Sequence, residues 1–222
     1  TATDARLKEI ADAINKYGKD FGIDTKEKLQ HFLAQAGHES DNFKTFAEYT
    51  NYQVKTLHLN FKKHFNPYNT PTKDKTKQNP KDYEISKGSK YAKAEKLYNF
   101  VYNDKNRGKK YKLGNTFTGD GYKYRGRGIF QLTGRANYTE FNDFYQKSYD
   151  KTKNITDKPE LVATDKDIAV ISALWYYENK VDITIDSKTT VESVTELVNG
   201  EDNGIEDRKS KFKKAKTNID CK

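Results

Sequence analysis

A chain of 222 residues with 34% hydrophobic residues has material for one sizeable core and too little for two independent domains, while 16 Tyr and 12 Phe add large buried area. Its 41 basic against 32 acidic residues leave a formal charge of +9, which favours an anionic partner such as nucleic acid, an acidic membrane surface or a bacterial wall without choosing among them. No apolar run approaches the roughly 20 residues of a membrane span, no signal-peptide pattern opens the chain, and the single Cys, Cys221, excludes an internal disulfide. The expectation is a soluble, aromatic-rich globule stabilised by its core alone. The chain starts at Thr1 and has no Met, which points to processing or to a domain taken from a longer polypeptide.

Helical spacing of Leu7, Ile10, Ala11, Ile14 and Tyr17 predicts a helix over residues 4–17, with Asp4 as cap and Gly18 as stop. A second helix starts at Asp24 or Thr25, where Glu27 completes a capping-box spacing from Asp24, and runs through Leu29, Phe32, Leu33 and Ala36 toward Glu39 and Ser40. Residues 60–87, rich in Lys, Thr and Asn with three prolines, read as loop with short turns. A helix follows over 89–102, with Tyr91, Ala94, Leu97, Tyr98 and Val101 on one face. Glycines from Gly108 to Gly134 signal tight turns and a small hairpin region. The pattern is helical again beyond Thr133, through Tyr138, Phe141, Phe144 and Tyr145. Pro159 opens a unit whose stripe is Ile168, Ile171, Ser172 and Trp175, and a last pair, 190–198 and 204–216, is split by Asn199-Gly200. No internal repeat and no linker divides the chain.

Two carboxylates, Glu39 and Glu48, stand out because glycoside hydrolysis needs one carboxyl protonated as acid and one ionised as base or nucleophile. Glu39 extends an apolar stripe, so desolvation is expected to keep its proton; Glu48, in a Thr- and Asn-rich segment, is expected to be hydrated and charged. On one straight helix the nine residues between them would span about 13 Å, more than the roughly 6.5 to 9.5 Å of an inverting pair, so the hypothesis requires a chain reversal near Ser40 to Asn42. Asp41 competes for the second role, and a pair of surface glutamates is the plain alternative.

Other chemistries fail on spacing. His38-Glu39 opens like a zinc-protease HExxH, but position 42 is Asn, and His31, His58 and His64 show no ligand spacing. Gly126-Arg127-Gly128 begins like a dinucleotide loop, yet Gln131 replaces its last glycine. No GxSxG elbow is present, and Cys221 sits at the terminus. The aromatic and basic residues of 122–127 raise nucleic-acid binding as a competing reading.

Four stretches, in order and covering nearly the whole chain, together resemble glycoside hydrolase family 19, shared by chitinases and by phage and bacterial endolysins with a lysozyme-like fold. They are FLAQAGHES (32–40), GDGYKYRGRGIFQLTGRANY (119–138), PELVAT (159–164) with ALWYYENK (173–180), and VNGEDNGIEDR (198–208). The resemblance implies one mainly α (α+β lysozyme-like) domain over 1–222, with two helical lobes around a substrate cleft and a small β-hairpin region. It implies Glu39 as general acid, Glu48 in EYTNY as the base that activates water, and Thr133 in QLTG as the hydroxyl that holds this water. Gln131, Asn137 and Tyr138 would line sugar subsites, Tyr52 and Asn199 the cleft, and Arg208 would pair with the acid. Glu201 departs from the family's NGG turn, which puts that turn's geometry in question, and Trp175 reads as core rather than sugar platform. The implied reaction is inverting hydrolysis of β-1,4 bonds between N-acetylated hexosamines, with no cofactor and no metal. Peptidoglycan is preferred over chitin on charge and on the cysteine-poor chain, and a non-catalytic wall-binding module is the alternative of another class. No nucleic-acid partner and no membrane insertion are expected. The isolated domain is expected to be monomeric and to act on the wall as a secreted, periplasmic or phage- or apparatus-delivered protein.

Overall fold

The computed structural model of the chain describes residues 2–181 and 185–219, so Cys221 lies outside the described residues. Ten α-helices among these residues carry the fold: α1 (Asp4–Tyr17), α2 (Lys26–Glu39), α3 (Leu57–Asn60), α4 (Ala94–Val101), α5 (Asp120–Lys123), α6 (Arg135–Ser148), α7 (Leu161–Thr164), α8 (Lys166–Lys180), α9 (Val191–Asn199) and α10 (Ile205–Asn218). Extended pairing among the described residues is limited to isolated bridges. The architecture is mainly α. Two compact units form, one from residues 1–47, 127–132 and 145–222, the other from 48–126 and 133–144.

In the first unit α2 packs against α9 and α10, and α8 against α1, α7 and α9. Gln30, His31, Phe32, Ala34, Gln35, Ala36 and Gly37 are all buried on α2, so the helix is enclosed on most sides rather than along one stripe. Phe32 meets the Tyr177 ring edge-on at 5.3 Å. α8 is likewise enclosed, and Trp175 is core, as expected. α1 spans the expected residues but is capped one residue earlier than expected, and of the two starts offered for α2 the structure takes Thr25. Thr3 caps α1 by accepting from Arg6 N, and Thr25 caps α2 by accepting from Lys28 N. Asp24 binds the Lys28 ammonium at 2.7 Å instead, so there is no Asp24–Glu27 box. α1 ends at Tyr17 with Gly18 as its C-cap, as expected, and the chain then runs as a 3-10 turn to Phe21 and reverses at Gly22 (φ 70°). The expected hairpin is one bridge here, Arg127 and Leu132 exchanging backbone hydrogen bonds of 3.1 and 2.7 Å.

The second unit has its own aromatic core, in which Val54, Leu57, Phe65, Tyr83, Leu97, Tyr98 and Val101 are buried. Phe65 meets Tyr83 edge-on at 4.9 Å, an arrangement favoured by the ring quadrupoles. The helix expected from residue 89 begins only at Ala94. Tyr91 and Ala92 pair instead with Gln53 and Glu84 across antiparallel bridges, which leaves the Tyr91 ring exposed. The Lys-rich loop is mostly irregular, as expected, but buried Asn66 pins it. Its amide donates to the carbonyls of Pro71 (3.0 Å) and Asp74 (2.8 Å) and accepts from Asp74 N (3.0 Å). The glycine-rich stretch holds the short helix α5, packed on α4 and anchored by the ion pair of buried Asp120 with the part-exposed Arg135.

Candidate active site

Glu39 is the last residue of α2 and lies one turn beyond Gln35, so the two share a face. Arg208, in the first turn of α10, is 1% exposed and serves both. Its Nη2 donates to Glu39 Oε1 at 2.5 Å, Nη1 donates to Gln35 Oε1, and Nε donates to the Asn203 carbonyl at 3.1 Å. A guanidinium is stable so deep only when its donors are used, and a carboxylate is its strongest partner. Glu39 therefore departs from the desolvated acid expected. Its side chain is 26% exposed and its carboxyl is ion-paired. Among the described residues Oε2 has no protein hydrogen-bond partner.

The α9–α10 turn supports this arrangement. Asn199 accepts from Glu201 N (2.9 Å) and donates to the Asn203 carbonyl (3.3 Å), the same oxygen that receives Arg208 Nε. Gly200 takes the left-handed conformation that ends α9 (φ 77°), whereas Glu201 is not among the residues of positive φ. A side chain is therefore accommodated where the family pattern has its second glycine. Gly204 has φ 73°, and a Cβ there would fall 2.1 Å from the His38 ring, which itself contacts Asp207 at 2.7 Å.

Immediately after Glu39 the chain makes the required reversal. Asp41, Asn42 and Phe43 all adopt left-handed φ values of 50°, 57° and 61°. Each such residue without glycine costs about 1–2 kcal/mol, and Ser40 supplies the restraint. Its buried Oγ donates to the Ala36 carbonyl (2.6 Å) and accepts from Phe43 N (2.9 Å). Asp41 is exposed, and among the described residues its side chain reaches Lys44 at 3.4 Å.

Glu48, in the second unit, is not in the hydrated setting expected. Its backbone N–H donates to the Gly126 carbonyl (2.9 Å), Gly126 N–H returns a bond to Oε2 (3.1 Å), and the Tyr102 hydroxyl donates to Oε1 at 2.6 Å. Burial raises the carboxyl above the ordinary carboxylate value, while the Tyr102 and Gly126 bonds and the Arg125 charge pull it back. Tyr98 on α4 and Tyr102, the C-cap one turn later, stack at 5.5 Å to form this wall. Burial and the Glu48 charge together raise the hydroxyl of Tyr102. The same two causes raise Tyr52, whose ring contacts those of Tyr98 and Phe61. Gln35, Tyr98 and Tyr102 are the residues that sequence reasoning missed. The signal was their i,i+4 spacing, Gln35 from Glu39 and Tyr98 from Tyr102.

The remaining expected residues divide by position. Gln131 lies in the turn of the single-bridge hairpin at φ 52° and donates to the Gly128 carbonyl at 3.0 Å. Thr133 is half-buried, and its carbonyl accepts from the exposed Asn137 amide at 2.7 Å. Tyr138, expected at a subsite, is fully buried, with its hydroxyl on the Arg125 carbonyl at 3.1 Å and its ring against Tyr124. It supports the backbone that carries Gly126 and does not reach the surface. Among the described residues no three His, Cys, Asp or Glu side chains gather as a metal-ligand set, and no helix is long and apolar enough to cross a membrane.

No protein-family model matches the chain. A glycosyl hydrolase family 19 domain-containing protein from Haemophilus influenzae is 33% identical over 204 residues, covering 91% of this chain and 85% of its own. Among solved structures, chitinase C from Streptomyces griseus HUT6037 superposes with a TM-score of 0.55 at 19% identity, over 95% of this chain and 82% of that one. A family GH19, class IV chitinase from Zea mays gives 0.51 at 17% identity, over 97% and 80%. At such identities these two likenesses are of fold, the mainly helical lysozyme-like architecture.

Proposed function

The chain belongs to glycosyl hydrolase family 19 and is a glycoside hydrolase, and on that footing we propose that it hydrolyses β-1,4 bonds between N-acetylated hexosamines of peptidoglycan, with inversion. Glu39 donates its proton to the leaving glycosidic oxygen. Glu48 takes a proton from the water whose oxygen attacks the anomeric carbon from the opposite face, and the Thr133 hydroxyl holds that water. Arg208 stabilises the Glu39 carboxylate once the proton has left. Glu48 suits its role because a carboxylate raised by burial is a stronger proton acceptor, while Tyr102 and Gly126 N–H keep it ionised. Tyr52, Gln131, Asn137 and Asn199 contact sugar in this reading, and Tyr138 holds the Arg125 backbone from within.

The observation that carries the assignment is the burial of Arg208 against Glu39, since a guanidinium 1% exposed is a costly way to hold an ordinary surface glutamate. Peptidoglycan is favoured by the net charge of +9, which suits an anionic wall. Chitin is the second reading, favoured by the names of the two solved relatives. Incubation with purified sacculi and with colloidal chitin separates the two: soluble fragments from sacculi are expected, and release from chitin alone would overturn the choice. Glu39→Gln separates enzyme from wall-binding module. Turnover is expected to fall about 10²–10⁴-fold with wall binding retained, and an unchanged effect on walls would rule out the catalytic assignment.

A further inference from the structure

The second unit carries an open hollow of about 440 Å³ in which Lys62, Lys63, His64 and Arg107 stand beside Tyr102 and the apolar Leu59, Phe61 and Val101. Tyr102 is the residue whose hydroxyl holds Glu48, so the hollow and the carboxylate share a wall. Its cations are not neutralised. Arg107 directs its donors to the carbonyls of Tyr111 (2.6 Å) and Val101 (3.3 Å), which fixes the side chain without cancelling its charge. Lys63 lies over the Tyr111 ring, its ammonium 5.0 Å from the centroid. Among the described residues neither lysine nor Arg107 forms an ion pair with a carboxylate. The half-buried His64 registers the resulting potential: burial first, then the charges of Arg107, Lys63 and Lys77, hold its imidazole below the ordinary value.

Three cations around a concave surface, one held rigidly by backbone, form a receptor for an anion. A chitin chain offers N-acetyl and hydroxyl groups only, whereas a peptidoglycan strand also carries carboxylates on its peptide stems. We propose that the hollow formed by Lys62, Lys63, His64 and Arg107 beside Tyr102 binds a stem carboxylate of the glycan strand whose bond is cut, and so selects the anionic polymer. This rests on the peptidoglycan reading above and names the contact that enforces it. Lys62 and Lys63 make the contact from the exposed rim, while Arg107 supplies a fixed charge at the wall.

The test compares native sacculi with sacculi whose carboxyls have been converted to amides, for the wild type and for Lys62→Gln/Lys63→Gln. These lysines are exposed, and thermal unfolding confirms that the variant is folded. The wild type is expected to show a KM about three- to tenfold lower on native than on amidated sacculi, in keeping with one or two part-exposed charge contacts. The variant is expected to lose that difference, with the change confined to KM on native sacculi. Equal KM values for the wild type on both substrates would overturn the proposal and leave the peptidoglycan reading standing, as would a variant that keeps the wild-type preference. Failure of the wild type to release fragments from either kind of sacculus would overturn the reading itself. Equal KM values on native and amidated sacculi that rise together when free teichoic acid is added, for the wild type but not the variant, would overturn the proposal by assigning the hollow to wall phosphate instead.

Discussion

Opposing influences set the state of Glu48: the surroundings that desolvate it against the Tyr102 hydroxyl, the Gly126 N–H and the Arg125 charge. Desolvation wins, so the carboxyl loses its proton above the ordinary carboxylate range. A base must be ionised, so activity rises as pH increases through that raised value. The acidic limb of kcat/KM is therefore expected above the usual glutamate range. Tyr102→Phe removes a bond that favours the charged form, so the limb should move to still higher pH. A limb unmoved by Tyr102→Phe would dissociate it from Glu48. The environments differ from those that sequence suggested, since Glu39 faces a guanidinium and Glu48 is the desolvated carboxyl. The reason is long-range. Arg208 reaches Glu39 from 169 positions away and Gly126 reaches Glu48 from 78 away, distances over which helical periodicity carries no information.

At the scale of elements, α2 and α10 are joined through Arg208, which makes their docking an electrostatic as well as an apolar contact. Arg208→Ala should cost about 3 kcal/mol of unfolding free energy, because it leaves Gln35 and Glu39 without their shared donor. In a Glu39→Gln background the cost should fall by at least about 1 kcal/mol, since no unpaired charge then remains; strictly additive denaturant midpoints would contradict the pairing. Gly204→Ala is expected to destabilise by about 2 kcal/mol or more, because the added methyl meets His38 at 2.1 Å and φ is 73°. Helices written as long periodic runs, α1, α2, α6 and α8, were legible in the sequence, and so was the reversal demanded after Glu39. Of the two starts offered for α2, Thr25 took the cap because Asp24 had a second partner, Lys28, in competition with the backbone. The start of α4 was overestimated because bridge pairing of Tyr91 and Ala92 overrides local propensity.

For the whole molecule, the family pattern was legible because its short motifs recur in order, each fixed by a local need such as the Asn199-Gly200 turn. The charge of +9 spread along the chain gives a further expectation. Raising salt from about 50 to 500 mM shortens the Debye length several-fold, so the KM on sacculi should rise while that on neutral chitin barely changes. Equal salt responses would mean that the charge has no part in substrate choice. The central claim is that two carboxylates, Glu39 as acid and Glu48 as base, cut a wall glycan. It is tested most directly by mass analysis, with reducing-end identification, of what wild type and Glu39→Gln release from purified sacculi. The account predicts glycan fragments bearing a new N-acetylhexosamine reducing end, abolished by Glu39→Gln; free peptides with intact glycan, or release undiminished by the substitution, would contradict it.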